Sequence, residues 1–136
     1  MTRNKAALKM PEELVKDMNS RLPGNISLNY LQNRFNSVPF KMVAILNSAL
    51  MDSDISDLEL SVRSSNALKR AGFYKVGDLV NGIDGYSDLK KIRNCGDTSA
   101  QEIMARLFFY QYSILPEEKR SSYLLKVLKA NDITIN

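Results

Sequence analysis

Proline is confined to the two ends of this chain, and between Phe40 and Leu115 there is none. A long interval without the residue that breaks helices, with apolar side chains recurring three and four positions apart, is suited to short α-helices. The four prolines stand where helices and turns begin. Pro11 precedes Glu12 and Glu13, which suit the positive end of a helix dipole. Pro23-Gly24 marks a turn. Pro39 fits the first turn of a helix over residues 40–50, with Val43, Leu46 and Leu50 at helical spacing. Pro116, with Glu117 and Glu118, opens a last helix that carries Leu124, Leu125, Val127 and Leu128 and ends near Asn131.

Four more helical patterns fill the interval. Residues 62–71 place Leu68 and Ala71 on one side, with Ser61 as N-cap and Gly72 as the residue after the end. Residues 76–80 and 86–92 are short, the latter with Leu89 and Ile92 as its core pair. Residues 98–112 are longer, with Ile103, Met104, Leu107 and Phe108 facing inward. Strand-like alternation is confined to residues 133–135. The predicted fold is all-α, a compact helical bundle without internal repeats.

The residue inventory removes most enzyme classes. There is one cysteine, Cys95, and no histidine. A disulfide framework within the protein, a His-based triad and a Cys/His zinc site are excluded. No phosphate-binding glycine loop and no calcium-loop spacing occurs, so no catalytic residues, no metal and no cofactor are expected. The longest nearly apolar run, residues 42–51, is far short of the ~20 residues that span a membrane. A cytoplasmic, non-enzymatic protein that makes no membrane contact is the expectation.

The net charge is +4 over 136 residues, which permits an anionic partner without demanding one. The charges are unevenly spread. Asp52, Asp54, Asp57 and Glu59 form an acidic stretch without a base, and it reads as a linker or domain boundary between the basic residues 1–50 and a second basic region over 63–94.

Residues 90–103 carry the most chemistry. They read as a short helix, a tight turn containing Gly96, and the start of a longer helix. Gly96 allows a positive φ and close backbone approach, and free N–H groups at a helix start bind anions. Lys90, Lys91 and Arg93 lie just before the turn. This is a helix-hairpin-helix layout, which grips a phosphate backbone; it is equally a plain helix–helix turn with glycine where the backbone needs it. Asp97 opposes phosphate at that helix start, while Thr98 and Ser99 offer neutral hydroxyls. Cys95 is either a reactive thiol near a helix start or a buried structural one.

The string Asp57-Leu-Glu-Leu-Ser-Val-Arg-Ser-Ser-Asn-Ala-Leu-Lys69, then Tyr74-Lys-Val-Gly-Asp-Leu-Val80, Leu89, Asn94-Cys-Gly96, Ser99 and Glu102-Ile103 resembles the C-terminal domain of the bacterial RNA polymerase α subunit. The likeness runs over nearly the whole of residues 55–112 and leaves out the first 50 residues and the last 24. It implies three parts: a basic helical N-terminal extension (1–52), an α-subunit-like DNA-binding module (53–113), and a C-terminal helix and tail (114–136).

That resemblance implies a transcription-associated module that binds A·T-rich double-stranded DNA. Arg63 would reach into the minor groove, where narrow A·T tracts concentrate negative potential. Asn66, on the same face, would contact groove or backbone. Gly96 and Ser99 would meet phosphate, Glu102 would order the site, and Lys91 and Arg93 would add positive charge. Asp57 and Glu59 match the acidic positions that face a sigma factor. This protein departs from the family at Thr98 and Asp97, where bases are common, and at Ala67, where cysteine is usual. Fewer phosphate contacts imply weaker binding and a flatter salt dependence. The alternative is an adaptor that binds RNA polymerase, sigma factor or another regulator without strong DNA binding.

The extensions are less informative. Leu28, Leu31 and Phe35, a turn at Asn36-Ser37, then Val43 and Leu46 faintly suggest helix-turn-helix; otherwise these helices pack on the module or pair two copies as a homodimer. Phe108, Phe109, Tyr110, Tyr112 and Tyr123 serve as core, as a dimer seam or as a base-stacking platform.

Overall fold

The computed structural model describes residues 11–37, 40–45 and 47–134. Among them are eight α-helices, one 3-10 turn and no strand, so the protein is all-α as the apolar spacing predicts. In sequence order the helices are α1 (Glu12–Arg21), α2 (Leu28–Phe35), α3 (Ser48–Asp52), α4 (Val62–Arg70), α5 (Val76–Gly82), α6 (Tyr86–Lys90), α7 (Asp97–Ile114) and α8 (Glu117–Ala130). The 3-10 turn (Ile55–Leu58) lies between α3 and α4.

Local chemistry sets most of these boundaries. Ser27, Asn47, Asp54 and Ser61 each accept a backbone N–H in the first turn of the element that follows, satisfying donors that a helix start leaves free. α1 and α8 start behind Pro11 and Pro116, with two glutamates in each first turn. α4 ends at Ala71, and Gly72 takes a φ of 94°, a left-handed conformation in which glycine carries no Cβ penalty. Ala71 itself is exposed; Ala67 and Leu68 are the buried side of α4.

α7 is the central beam. Ile103, Met104, Leu107 and Phe108 are fully buried, as predicted, and Phe109 and Tyr112 join them. The Phe108 ring lies 4.7 Å from Phe35 of α2 and 6.0 Å from Tyr123 of α8, and Phe35 in turn lies 5.1 Å from Phe40. One aromatic cluster thus joins the helices before, within and after the central segment. Truncating a residue such as Phe108 would cost about 3–5 kcal/mol.

Two expectations are corrected. No helix spans 40–50. Residues 40–45 run extended, and the helical part is α3, which starts at its Asn47 cap. The backbone of the extended segment is held by remote side chains. Lys41 N–H donates to Asn131 Oδ1 at 2.6 Å, Asn131 Nδ2 donates back to Lys41 O at 3.0 Å, and Ile45 N–H donates to Gln111 Oε1 at 2.8 Å. Tyr123 donates to Val43 O, and Lys41 bridges Gly85 in antiparallel fashion. These bonds replace the ladder a helix would supply. The helix-turn-helix suggestion falls with that helix; Pro39 and Leu46 lie outside the described residues, as do residues 1–10 and Ile135.

The acidic stretch is not a free linker either. Ile55 and Leu58 are buried between the exposed acids, Ile55 N–H donates to Tyr74 O, and Val76 N–H donates to Ser53 O. Gly77 lies so close beneath α3 that an added Cβ would come within 2.7 Å of Met51 O.

At the far end of α7, Asp17 of α1 gathers three donors: Tyr112 at 2.5 Å, Arg120 at 3.0 Å and Arg21 at 3.1 Å. The Arg120 guanidinium also stacks over the Tyr112 ring at 5.0 Å. Burial pushes the Asp17 carboxyl up, but the hydrogen bonds from Tyr112, Arg21 and Arg120 outweigh it and leave the group below its usual range.

Candidate nucleic-acid interface

The cap at Ser61 fixes which way α4 faces. Ser64, Ala67 and Leu68 turn inward, and Arg63 and Asn66, three positions apart, are exposed. The anchor beneath them is Glu102 of α7, which is buried. Its carboxylate accepts from Ser61 N–H at 2.7 Å, from the Ser61 hydroxyl at 2.8 Å and from the Ser64 hydroxyl at 2.6 Å. Glu102 therefore orders the α4 face from below and does not itself reach the surface.

The turn before α7 departs from expectation in one respect. Gly96 adopts φ −81° and ψ −173°, a conformation open to any residue. The left-handed position belongs to Asn94, with φ 67°, and asparagine is among the few residues that tolerate it. Gly96 still leaves the helix start open, because no atom lies within 4 Å of where a Cβ would project. α7 has no side-chain cap, so its first N–H groups face outward with their partial positive charge. Cys95 resolves as the structural thiol: it is buried, and burial pushes its pKa up, away from thiolate chemistry.

Asp97 is not a free negative charge. Lys90 Nζ sits 2.5 Å from its Oδ1, and the Tyr86 hydroxyl donates to the same oxygen at 2.9 Å. The bond from Lys90, then that from Tyr86, holds the Asp97 carboxyl below its usual range. The Lys90 ammonium is raised in turn. The carboxylate that the sequence places at this helix start is thus paired with a cation on the protein surface.

Arg63, Asn66, Gly96 and Ser99 come together on one open groove of about 640 Å³, walled also by Arg70 and Asn94. Ser99 is mostly buried and forms part of its floor. Lys91 and Arg93 line a neighbouring hollow with Phe73 and Ile92, and Arg70 and Asn94 are common to both. Lys91 is highly exposed and only loosely paired, 3.6 Å from Asp88. Two arginines therefore flank the groove and two further bases lie next to it. Sequence reasoning held Arg70 only within the basic region over 63–94 and gave Asn94 no role; the positive-φ tolerance of asparagine beside Cys95-Gly96 was the available signal for the second.

Asp57 and Glu59 lie on a different hollow, with Pro11, Arg106 and Tyr110. Both are exposed, and Glu59 adopts a left-handed conformation at the end of the 3-10 turn. Among the described residues no cluster has the makings of a metal site, and no helix is long and apolar enough to cross a membrane.

Comparison with known proteins singles out the same stretch. The family described as the C-terminal domain of the bacterial RNA polymerase alpha subunit matches residues 45–108. The DNA-directed RNA polymerase subunit alpha of Carboxydothermus hydrogenoformans is 41% identical over 70 residues, 52% of this chain and 22% of that protein. The corresponding subunit of Syntrophomonas wolfei is 45% identical over 58 residues, 43% of this chain and 18% of the subunit. That of Bacillus velezensis is 43% identical over 58 residues, again 43% and 18%. The protein thus spans about a fifth of the length of the curated relatives it matches. No solved structure matches it.

Proposed function

With a domain of the RNA polymerase α C-terminal kind over residues 45–108, we propose that this protein is a cytoplasmic, non-catalytic transcription module that binds A·T-rich duplex DNA through the minor groove and its flanking phosphates. One observation carries the reading: exposed Arg63 and Asn66 open onto the same groove as the uncapped start of α7, where Asp97 is paired with Lys90. Arg63 enters the minor groove, Asn66 contacts its edge, and the backbone at Gly96 with the Ser99 hydroxyl meets phosphate. Arg70, Lys91 and Arg93 supply the surrounding positive field, and Glu102 holds Arg63 in register from below.

The test is a fluorescence anisotropy titration of A·T-rich and G·C-rich duplexes at two salt concentrations, with wild type and Arg63→Ala. Salt-sensitive binding that favours A·T and is lost in Arg63→Ala is the expected outcome. Failure to bind either duplex at low salt would sink the reading.

A second reading is favoured by the exposure of Asp57 and Glu59 on a hollow apart from the basic groove. These acids would dock a basic segment of RNA polymerase or sigma factor. Asp57→Lys with Glu59→Lys should then abolish that association and leave DNA binding unimpaired. A homodimer through the extensions would use their outer faces, because Phe108, Phe109, Tyr112 and Tyr123 are spent in the core.

A further inference from the structure

The sequence holds no acidic residue between Asp17 and Asp52. Within that interval, α2 buries Leu28, Leu31 and Phe35 and turns Asn29 and Asn33 outward, with Gln32 and, just past the helix end, Asn36 half-buried beside them. These four carboxamides line a groove of about 330 Å³ with Gln101 and Ala105 of α7. None of the four side chains hydrogen-bonds within the protein among the described residues. They are donors and acceptors without a partner among the described residues, on a stretch of sequence without acids; Asp97, one turn before Gln101 on α7, is paired with Lys90.

The groove lies beside the candidate interface along α7, where Asp97 and Thr98 of the Arg63 groove stand one turn before Gln101 of this one. Thr98, Gln101 and Ala105 fall on one stripe of α7, at spacings of three and four. Thr98 lines the Arg63 groove, and Gln101 and Ala105 line the carboxamide groove. Seven residues of helix cover about 10 Å, roughly the rise of three base pairs of DNA. Carboxamides suit such a partner, since they donate to phosphate and pair with base edges without adding charge.

We infer that the carboxamide face of α2 is a second DNA-contact surface, which extends the footprint of the Arg63 groove along the same duplex. The inference rests on the DNA-binding reading above. The residues involved on α2 lie outside the stretch shared with the α subunits, so the longer footprint is a property of this protein.

The test is hydroxyl-radical footprinting and anisotropy on a long A·T-rich duplex, using the full-length protein. Four forms are compared: wild type, Asn29→Ala with Asn33→Ala, Asn29→Asp with Asn33→Asp, and Arg63→Ala. Both asparagines are on the outer side of α2, and circular dichroism confirms that the variants fold. The alanine pair should shorten protection by about three base pairs at one end and weaken binding about tenfold. The aspartate pair should weaken it further, and protection beside the Arg63 groove should persist in both. A footprint of wild-type length in both pairs overturns the inference, and so does an unchanged footprint with lost binding to polymerase. In either case sensitivity to Arg63→Ala leaves the DNA-binding reading standing. Absence of protection by wild type removes both.

Discussion

The Ser64 hydroxyl donates to the Glu102 carboxylate at 2.6 Å in the protein interior, directly under the face that carries Arg63 and Asn66. With the two bonds from Ser61, this contact fixes the start of α4 against α7. A residue that touches no DNA therefore sets the aim of those that would.

Glu102→Ala should be costly on both counts. It strands the buried Ser64 hydroxyl and removes the acceptor of the part-buried Ser61 hydroxyl and N–H, a loss of roughly 2 kcal/mol in folding stability. Urea unfolding measures the first effect, and anisotropy should detect weaker DNA binding even where the variant is fully folded. A wild-type unfolding midpoint would contradict the anchoring role.

Asp97→Asn should act in the opposite sense. It releases Lys90 from its ion pair and removes the carboxylate at the start of α7. Binding to duplex DNA at low salt should tighten about three- to tenfold, with a steeper salt dependence as one more cation becomes free to meet phosphate. Affinity measured against salt concentration checks both slope and intercept.

Gly85→Ala tests how the extended segment is docked. A Cβ at that position would project to 2.1 Å from Phe40 O, and backbone cannot yield as a flexible side chain does. About 2 kcal/mol of destabilisation is expected, through loss of the Lys41–Gly85 bridge and of the Met42 N–H bond to Asp84 O. Thermal unfolding of the variant reads it directly.

The Asp17–Tyr112 contact predicts stability falling at both ends of the pH scale. Burial, and then the bond to Asp17, raises the Tyr112 phenol above its ordinary 10.0. Burial raises that of Tyr123. The folded state holds these protons longer than the unfolded protein does, so their stabilisation is complete below pH 10 and is lost as pH rises further. Asp17 is depressed below its ordinary 3.8, so its contribution is complete above that value and lost as pH falls through the lowered one. Tyr112→Phe should remove its own share of the alkaline limb of a stability–pH curve, leaving the shares of Tyr123, Tyr86 and Lys90, and Asp17→Asn should remove its share of the acid limb, leaving those of Asp54, Asp78 and Asp97.

Where structure follows local signals, the sequence was readable. Ser61, Gly72 and Pro116 mark helix boundaries close to where they fall, and the stripe through Ile103, Leu107 and Phe108 identifies the core face of α7. The gathering of Arg63, Asn66, Gly96 and Ser99 on one groove followed from family likeness and not from spacing, because α4 and α7 are far apart in sequence.

What was missed depends on distant partners. The pattern Val43, Leu46, Leu50 has helical period, yet Gln111, Tyr123 and Asn131 hold residues 41–45 extended. Acidic composition suggested a linker at 52–59, but Ile55 and Leu58 bind it to the core. Nor does the presence of a carboxylate at Asp97 reveal that Lys90 pairs with it and Tyr86 donates to it.

The Asp17 clasp also governs when this protein can fold. Asp17 waits for Tyr112, 95 residues later, and for Arg120, 103 residues later. Lys41 waits for Asn131. On the ribosome α1 and α2 emerge well before α7 and α8, which supply these partners. Contacts of such long sequence separation slow folding. The clasp on α1 is therefore complete only once Arg120 has been made, and the docking of the segment at Lys41 only once Asn131 has.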